Sequence, residues 1–260
     1  MLRVLGVHGT GTYRYHRRAG SVEGAAVALG TDWFRHLGTA MPPNSAVDLR
    51  LAYYGHELRT ELEEDPALLE PGEQQLLIQW AELLRPGAAP ITDPRDAAEL
   101  MAHNFGPATR LFALSFCREL HAYLTDPERR AACRHAVAAA LAEHRPDVVL
   151  AHSLGAVVAY ESLWDNKHAD VGLLLTVGSP LAMPGMLPTG AERSRPPSVR
   201  RWVNMADVGD IVAVPTMDFP GAENVSIVAG MWEYQTPGAY LRSRDVTLTM
   251  FGSRPTGTLG

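Results

Sequence analysis

The chain has 260 residues, 46% of them hydrophobic and 20% charged, with a formal net charge of −6. That is the composition of an ordinary globular protein with enough length to bury a substantial core. The acidic balance argues against a nucleic-acid binder, which presents a basic face, and no apolar run approaches the roughly 18 residues needed to cross a bilayer. Two cysteines, Cys117 and Cys133, lie in segments that read as helical and suggest neither a disulfide framework nor a metal site.

The chain enters a strand at once, Leu2–Val7, with no basic leader, apolar signal core or small-residue cleavage site, so a cytoplasmic location is expected. Directly after it comes Val7-His8-Gly9-Thr10-Gly11. As a dinucleotide loop this run lacks its third glycine, because Arg14 stands there. Arg14 and His16-Arg17-Arg18 form a small basic cluster suited to a carboxylate or phosphate, although a solvated loop is the commoner origin of such a run.

A second β-rich run spans Val47–Tyr54. The segment that follows is too long for one crossover and holds three Asp-Pro pairs, at 65–66, 93–94 and 126–127. Asp accepts the free N–H groups of a helix start, and Pro fits the first helical position, where its missing N–H costs nothing. Apolar stripes at helical spacing support this. One is Leu76, Leu77, Trp80, Leu83 and Leu84; another is Leu111, Phe112, Phe116, Leu120, Tyr123 and Leu124. Residues 57–126 are therefore predicted to form a helical, lid-like insertion, and Pro127 to about His144 a helix leading into the next strand.

That strand, Val148–Leu150, runs into Ala151-His152-Ser153-Leu154-Gly155 and then into the helical Ala156–Tyr160. A serine flanked two residues either side by small side chains, between strand and helix, has the form of a nucleophile elbow. The turn is sharp, so anything bulky at 151 or 155 would strike the neighbouring strand or helix. Ala151 stands where glycine is commoner. Further strands are predicted at Leu173–Val177, Arg201–Met205 and Val225–Ala229. Strands alternating with helices imply an α/β fold, a mostly parallel sheet with helices on both faces, forming a single domain over residues 1–260. Such sheets gather their sites at the carboxyl ends of the strands.

Taken together, these motifs resemble the α/β-hydrolase superfamily, in its lipase- or esterase-like form. The resemblance implies Ser153 as nucleophile, with the oxyanion received by the N–H of Leu154 and that of Thr10 or Gly9. Asn204–Val212 resembles the acid-bearing loop, with Asp210 as the triad acid and Asp207 as its substitute. Thr176–Leu181 resembles the strand end after the elbow helix and gives Ser179 no role.

One departure stands out. The family order is Ser, acid, His, but the last histidine is His168, and the expected position falls in Gly230–Gly238, which has none. His56, at the end of the Val47–Tyr54 run, and His103, in the insertion, are the candidates for a relocated base. His8 and His152 belong to the motifs themselves, where the side chains usually turn away. The function expected is a serine hydrolase or acyl-transfer enzyme acting on an ester, thioester or amide through acyl-Ser153. Its partner would be a hydrophobic acyl substrate, and no metal or organic cofactor is implied. The alternative is a non-catalytic binding or scaffold protein on a degenerate hydrolase fold.

Overall fold

The apolar runs pair as one all-parallel sheet in a computed structural model, which describes residues 1–59, 64–228 and 236–252. Its strands are β1 (Leu2–Val7), β2 (Val47–Ala52), β3 (Val148–His152), β4 (Val171–Val177), β5 (Val199–Asp207) and β6 (Ala222–Ile227). They lie in the order β2-β1-β3-β4-β5-β6. The helices are α1 (Tyr13–Ala19), α2 (Val22–Gly38), α3 (Pro71–Leu83), α4 (Pro94–Phe105), α5 (Ala108–Thr125), α6 (Pro127–His144), α7 (Leu154–Asp165), α8 (Pro237–Leu241) and α9 (Arg244–Met250), with a short 3-10 turn at Pro66–Leu68. Among the described residues no helix is long and apolar enough to cross a membrane.

The predicted α/β class is what the structure shows. Central β3 is buried throughout, as a parallel strand covered on both faces must be. Val149 and Ala151 face the apolar cluster shared with α3–α7, while Val148 and Leu150 face the cluster shared with α2, α8 and α9. Boundaries differ by a few residues. β2 stops at Ala52 and β3 continues through His152. The last strand ends at Ile227, and Ala229, where it was expected to end, lies outside the described residues.

All three Asp-Pro pairs start helical turns. Asp65 accepts from the Ala67 N–H, Asp93 from that of Arg95, and Asp126 from those of Glu128 and Arg129. Between β2 and α6, helices α3, α4 and α5 pack on one another and bury Leu77, Trp80, Phe116 and Leu120 in the same cluster as α6 and α7. The Trp80 indole N–H donates to the Ile211 carbonyl at 2.6 Å, tying α3 to the loop after β5.

From β1 the chain moves outward to β2 and then returns to β3 on the other side of β1. The strand order thus reverses between β1 and β3, where a doubly wound sheet opens a crevice at its carboxyl ends. Both glycine-bearing turns lie there. A Cβ on Gly155 would stand 2.3 Å from the Val7 carbonyl oxygen and 2.5 Å from that of His8, so α7 rests directly on the end of β1. Gly155→Ala is expected to destabilise the protein by at least the ~1–3 kcal/mol typical of overpacking. The measurement is a lower denaturation midpoint at unchanged m-value.

Candidate active site

Ser153 turns the chain from β3 into α7 within one residue, at φ 54° and ψ −131°. A β-carbon is strained in this region, at a cost of about 1–3 kcal/mol. Main-chain bonds hold it there. Its N–H donates to the Val177 carbonyl at 3.1 Å, and its carbonyl accepts from the Ala156 N–H at 2.8 Å. The side chain does not cap the helix. Its Oγ is buried and has no hydrogen-bond partner among the described residues. Leu154 opens α7, so its N–H lies in the first turn, where no intrahelical acceptor exists and the helix dipole is positive.

The loop after β1 lies against this turn. A Cβ on Gly9 would stand 2.7 Å from the Ser153 Cβ. His8 is a strut within that loop. Its Nε2 accepts from the Tyr54 N–H at 3.1 Å, which leaves Nδ1–H to donate to the Gly9 carbonyl at 2.8 Å. The Tyr54 hydroxyl donates to the His8 carbonyl. Burial, with a smaller contribution from His56, lowers the His8 pKa to about 4, so the ring is neutral. Farther along, the Gly11 N–H donates to both carboxylate oxygens of Glu119 on α5, at 2.9 and 3.1 Å. Burial raises the Glu119 pKa to about 8, against the opposing bond from Gly11.

Asp210 is buried in the loop after β5. Its Oδ1 accepts from the N–H groups of Val212 and Ala213, at 2.7 and 3.2 Å, and its Oδ2 accepts from the Tyr240 hydroxyl. That oxygen lies 2.7 Å from where a Cβ on Gly178 would be, immediately after the Val177 carbonyl that holds Ser153. The acid therefore sits one strand end away from the serine. Asp207 instead closes a turn onto the Gly209 N–H at 2.8 Å. Burial and the Asp210 charge push the Tyr240 pKa far up, which keeps its hydroxyl a donor.

The structure thus gathers Ser153, Leu154 and Gly9, with Thr10 beside them and Asp210 across β4. His56 is engaged elsewhere. Its ring stacks on His16 and Tyr53, its Nε2 is 3.0 Å from a Glu57 carboxylate oxygen, and its Nδ1 is buried without a partner. His103 is exposed on α4. Residues 230–235, within the segment where the family histidine was expected, lie outside the described residues.

A cleft of mixed polarity, about 420 Å³, opens over the β1–β3 crevice, with Gly9, Thr10, Trp33, His152, Arg14 and Arg242 among its lining residues but not Ser153. Of the basic cluster, Arg14 reaches this cleft, whereas His16 turns to His56. His152 was expected to turn away from the site, yet it lines the cleft, 4% exposed, with an unpartnered Nε2. Burial lowers its pKa to about 3. The apolar space between α3 and α5, by contrast, is only about 20 Å³. One group with metal-ligand spacing occurs among the described residues, Glu70, Glu73 and His121, with ligand atoms within 4.8 Å. Glu73 there already caps α3 and pairs with Arg118.

Comparison of the chain with protein-family models, curated proteins and solved structures found no match.

The buried groups set a pH profile. His8 and His152 titrate near 4 and 3 in the fold against an ordinary 6.5. Their stabilisation is complete above 6.5 and is lost as pH falls below it. Glu119 titrates near 8 against 4.5, so its contribution is lost as pH rises from 4.5 to 8. Two histidine protons outweigh one carboxyl proton on the acid side, and only the carboxyl acts above 6.5. Thermal melting should therefore peak near pH 6.5, and Glu119→Gln should flatten the alkaline limb and, by removing the opposing carboxyl proton, steepen the acid limb between pH 4.5 and 6.5.

Proposed function

We propose that the protein is a serine hydrolase or acyl-transfer enzyme of the α/β-hydrolase type, acting on an ester, thioester or amide. The observation that carries this reading is the strained backbone of Ser153. It sits at the switch point of a parallel sheet, against Gly9, with an uncapped helix start behind it. In this mechanism Ser153 Oγ attacks the acyl carbonyl. The developing oxyanion is received by the Leu154 N–H and by that of Thr10 or Gly9, and water or a second acceptor then releases the acyl group.

Asp210 supplies a negative charge on the β4 side of Ser153, where it would stabilise a cationic base seated there. It follows β5, four strands along the sheet from the β2 end that carries His56, so the charge beside His56 is Glu57. His56 is the candidate base, with Glu57 on its Nε2 and Nδ1 left to accept a proton. Turnover requires that nitrogen, or a basic group on the substrate, to reach Ser153. The cleft beside Gly9 is of mixed polarity and carries Arg14, Arg35 and Arg242 with one carboxylate, Asp32, which favours an anionic group on a substrate portion seated there. The apolar face of α3–α5 supports a hydrophobic acyl chain only if these helices part, given the small space between them.

The second reading, a binding protein on the same scaffold, is favoured by one observation: Ser153 Oγ is buried with no base bonded to it. A fluorophosphonate probe separates the two. Covalent labelling of the wild type, abolished in Ser153→Ala and slowed about a hundredfold or more in Asp210→Asn, is the expected result. Failure of the folded wild type to label would favour the binder. His56→Ala labelling at the wild-type rate would remove His56 from the mechanism.

A further inference from the structure

β2 is an edge strand, hydrogen-bonded to β1 alone. The parallel register, Leu2 against Val47 with the Leu2 N–H on the Ala46 carbonyl, turns the main-chain groups of Asp48, Arg50 and Ala52 toward β1. Those of Val47, Leu49 and Leu51 therefore point outward, and no described residue pairs with them. Proteins usually blunt such an edge with a proline, a bulge, a covering element or charged side chains, and of these β2 has only the charges of Asp48 and Arg50. β2 has no proline, and its register with β1 is unbroken. A groove of about 770 Å³ runs along it between α2 and α6. On the α2 side the groove is apolar: Ala26, Val27, Gly30 and Phe34 recur at helical spacing, with Val27 70% and Phe34 47% exposed.

The strand is complementary to itself. Consider two copies pairing antiparallel about a two-fold axis through Leu49. Leu49 then faces Leu49, and Val47 faces Leu51. These are the outward-pointing residues, so all of these pairs are of the hydrogen-bonded kind, with two main-chain bonds each. Asp48 faces Arg50 of the other copy in the intervening non-hydrogen-bonded pairs, where side chains approach most closely. An axis through Asp48 would oppose two carboxylates, and one through Arg50 two guanidinium groups. An axis at Val47 sets Asp48 against Ala46 and Arg50 against Asn44, and one at Leu51 sets Asp48 against Tyr54 and Arg50 against Ala52, so neither joins opposite charges. Only the Leu49 axis joins opposite charges, and it joins them twice.

The two faces agree with this register. Asp48 and Arg50 lie on the α6 side, where Arg50 meets Glu143 at 2.7 Å and His144 Nδ1 is 4.0 Å from Asp48. Val47, Leu49 and Leu51 lie on the α2 side with the exposed apolar stripe, which a second α2 would cover. We propose that the protein forms a two-fold dimer by antiparallel pairing of β2 with β2 of a second copy, centred on Leu49, so that one continuous sheet spans both.

Sedimentation velocity on the full chain tests this. The wild type is expected to dimerise. Asp48→Arg sets arginine against arginine and Arg50→Asp sets aspartate against aspartate, so each should weaken the dimer about tenfold or more. The double variant Asp48→Arg/Arg50→Asp restores opposite charges and should recover the dimer. Mixing the two single variants should likewise give a heterodimer that neither forms alone. Near-UV circular dichroism establishes that each variant is folded. A monomeric wild type, a dimer indifferent to both reversals, or a double variant as weak as the singles would overturn the proposal.

Discussion

The close approach of α7 to the end of β1 governs the rest of the site. Gly155 lies on the Val7 and His8 carbonyls with no room for a methyl group, so the helix must begin immediately where β3 ends. The whole reversal then falls on Ser153. A serine at a helix start ordinarily folds back to accept an N–H from the first turn. Here the backbone is turned so that the side chain does not, and the hydroxyl stays buried and unpaired. Backbone strain and an orphaned polar group each cost energy, the latter about 1–3 kcal/mol. A fold that keeps both at the switch point of a parallel sheet has a chemical use for that oxygen as its most economical explanation.

Around the serine, the polar groups act as spacers and anchors. Neutral His8 joins β1 to the end of β2 through Tyr54 and fixes where Gly9 runs. Glu119 does the same for Gly11 from α5, so helices between β2 and α6 help shape the turn facing Ser153. Asp210 is satisfied by two amides and by Tyr240. Its second oxygen is already engaged, and any base drawing on that carboxylate would share it with the tyrosine. That arrangement separates holding a negative charge near the serine from moving the serine's proton, and it explains why Asp210 alone does not decide between the two functional readings.

What the sequence made legible was local or periodic. β3 and β4 were visible because a strand buried on both faces is apolar without interruption. The Asp-Pro starts were visible because a cap and the amides it serves are two or three residues apart. β5 was clipped at its start because Val199 and the exposed Arg200 do not look like a core strand, whereas Arg201 was expected within it. Arg201 belongs there because it pairs with Glu223 on β6. The contacts that shape the site were hidden, since Tyr54 on His8, Glu119 on Gly11 and Trp80 on Ile211 join residues 46, 108 and 131 positions apart. The direction of the His152 side chain was hidden too. Its position before the serine suggested a side chain turned aside, whereas the alternation along β3 carries it to the α2–α8 face and into the cleft.

The open edge and the crevice are also linked through one strand. β2 leads directly into Tyr53 and Tyr54, and Tyr54 makes two of the bonds that hold His8. A strand paired on one side opens more readily than one paired on both, because its main-chain bonds have fewer neighbours to break with them. Pairing β2 along its outer edge would therefore stiffen the Tyr54 anchor, and through His8 the placement of Gly9 against Ser153. Assembly at the edge and geometry at the serine then share a single element, so a charge reversal at Asp48 or Arg50 would act on the site from outside it, through the strand rather than through any contact with substrate.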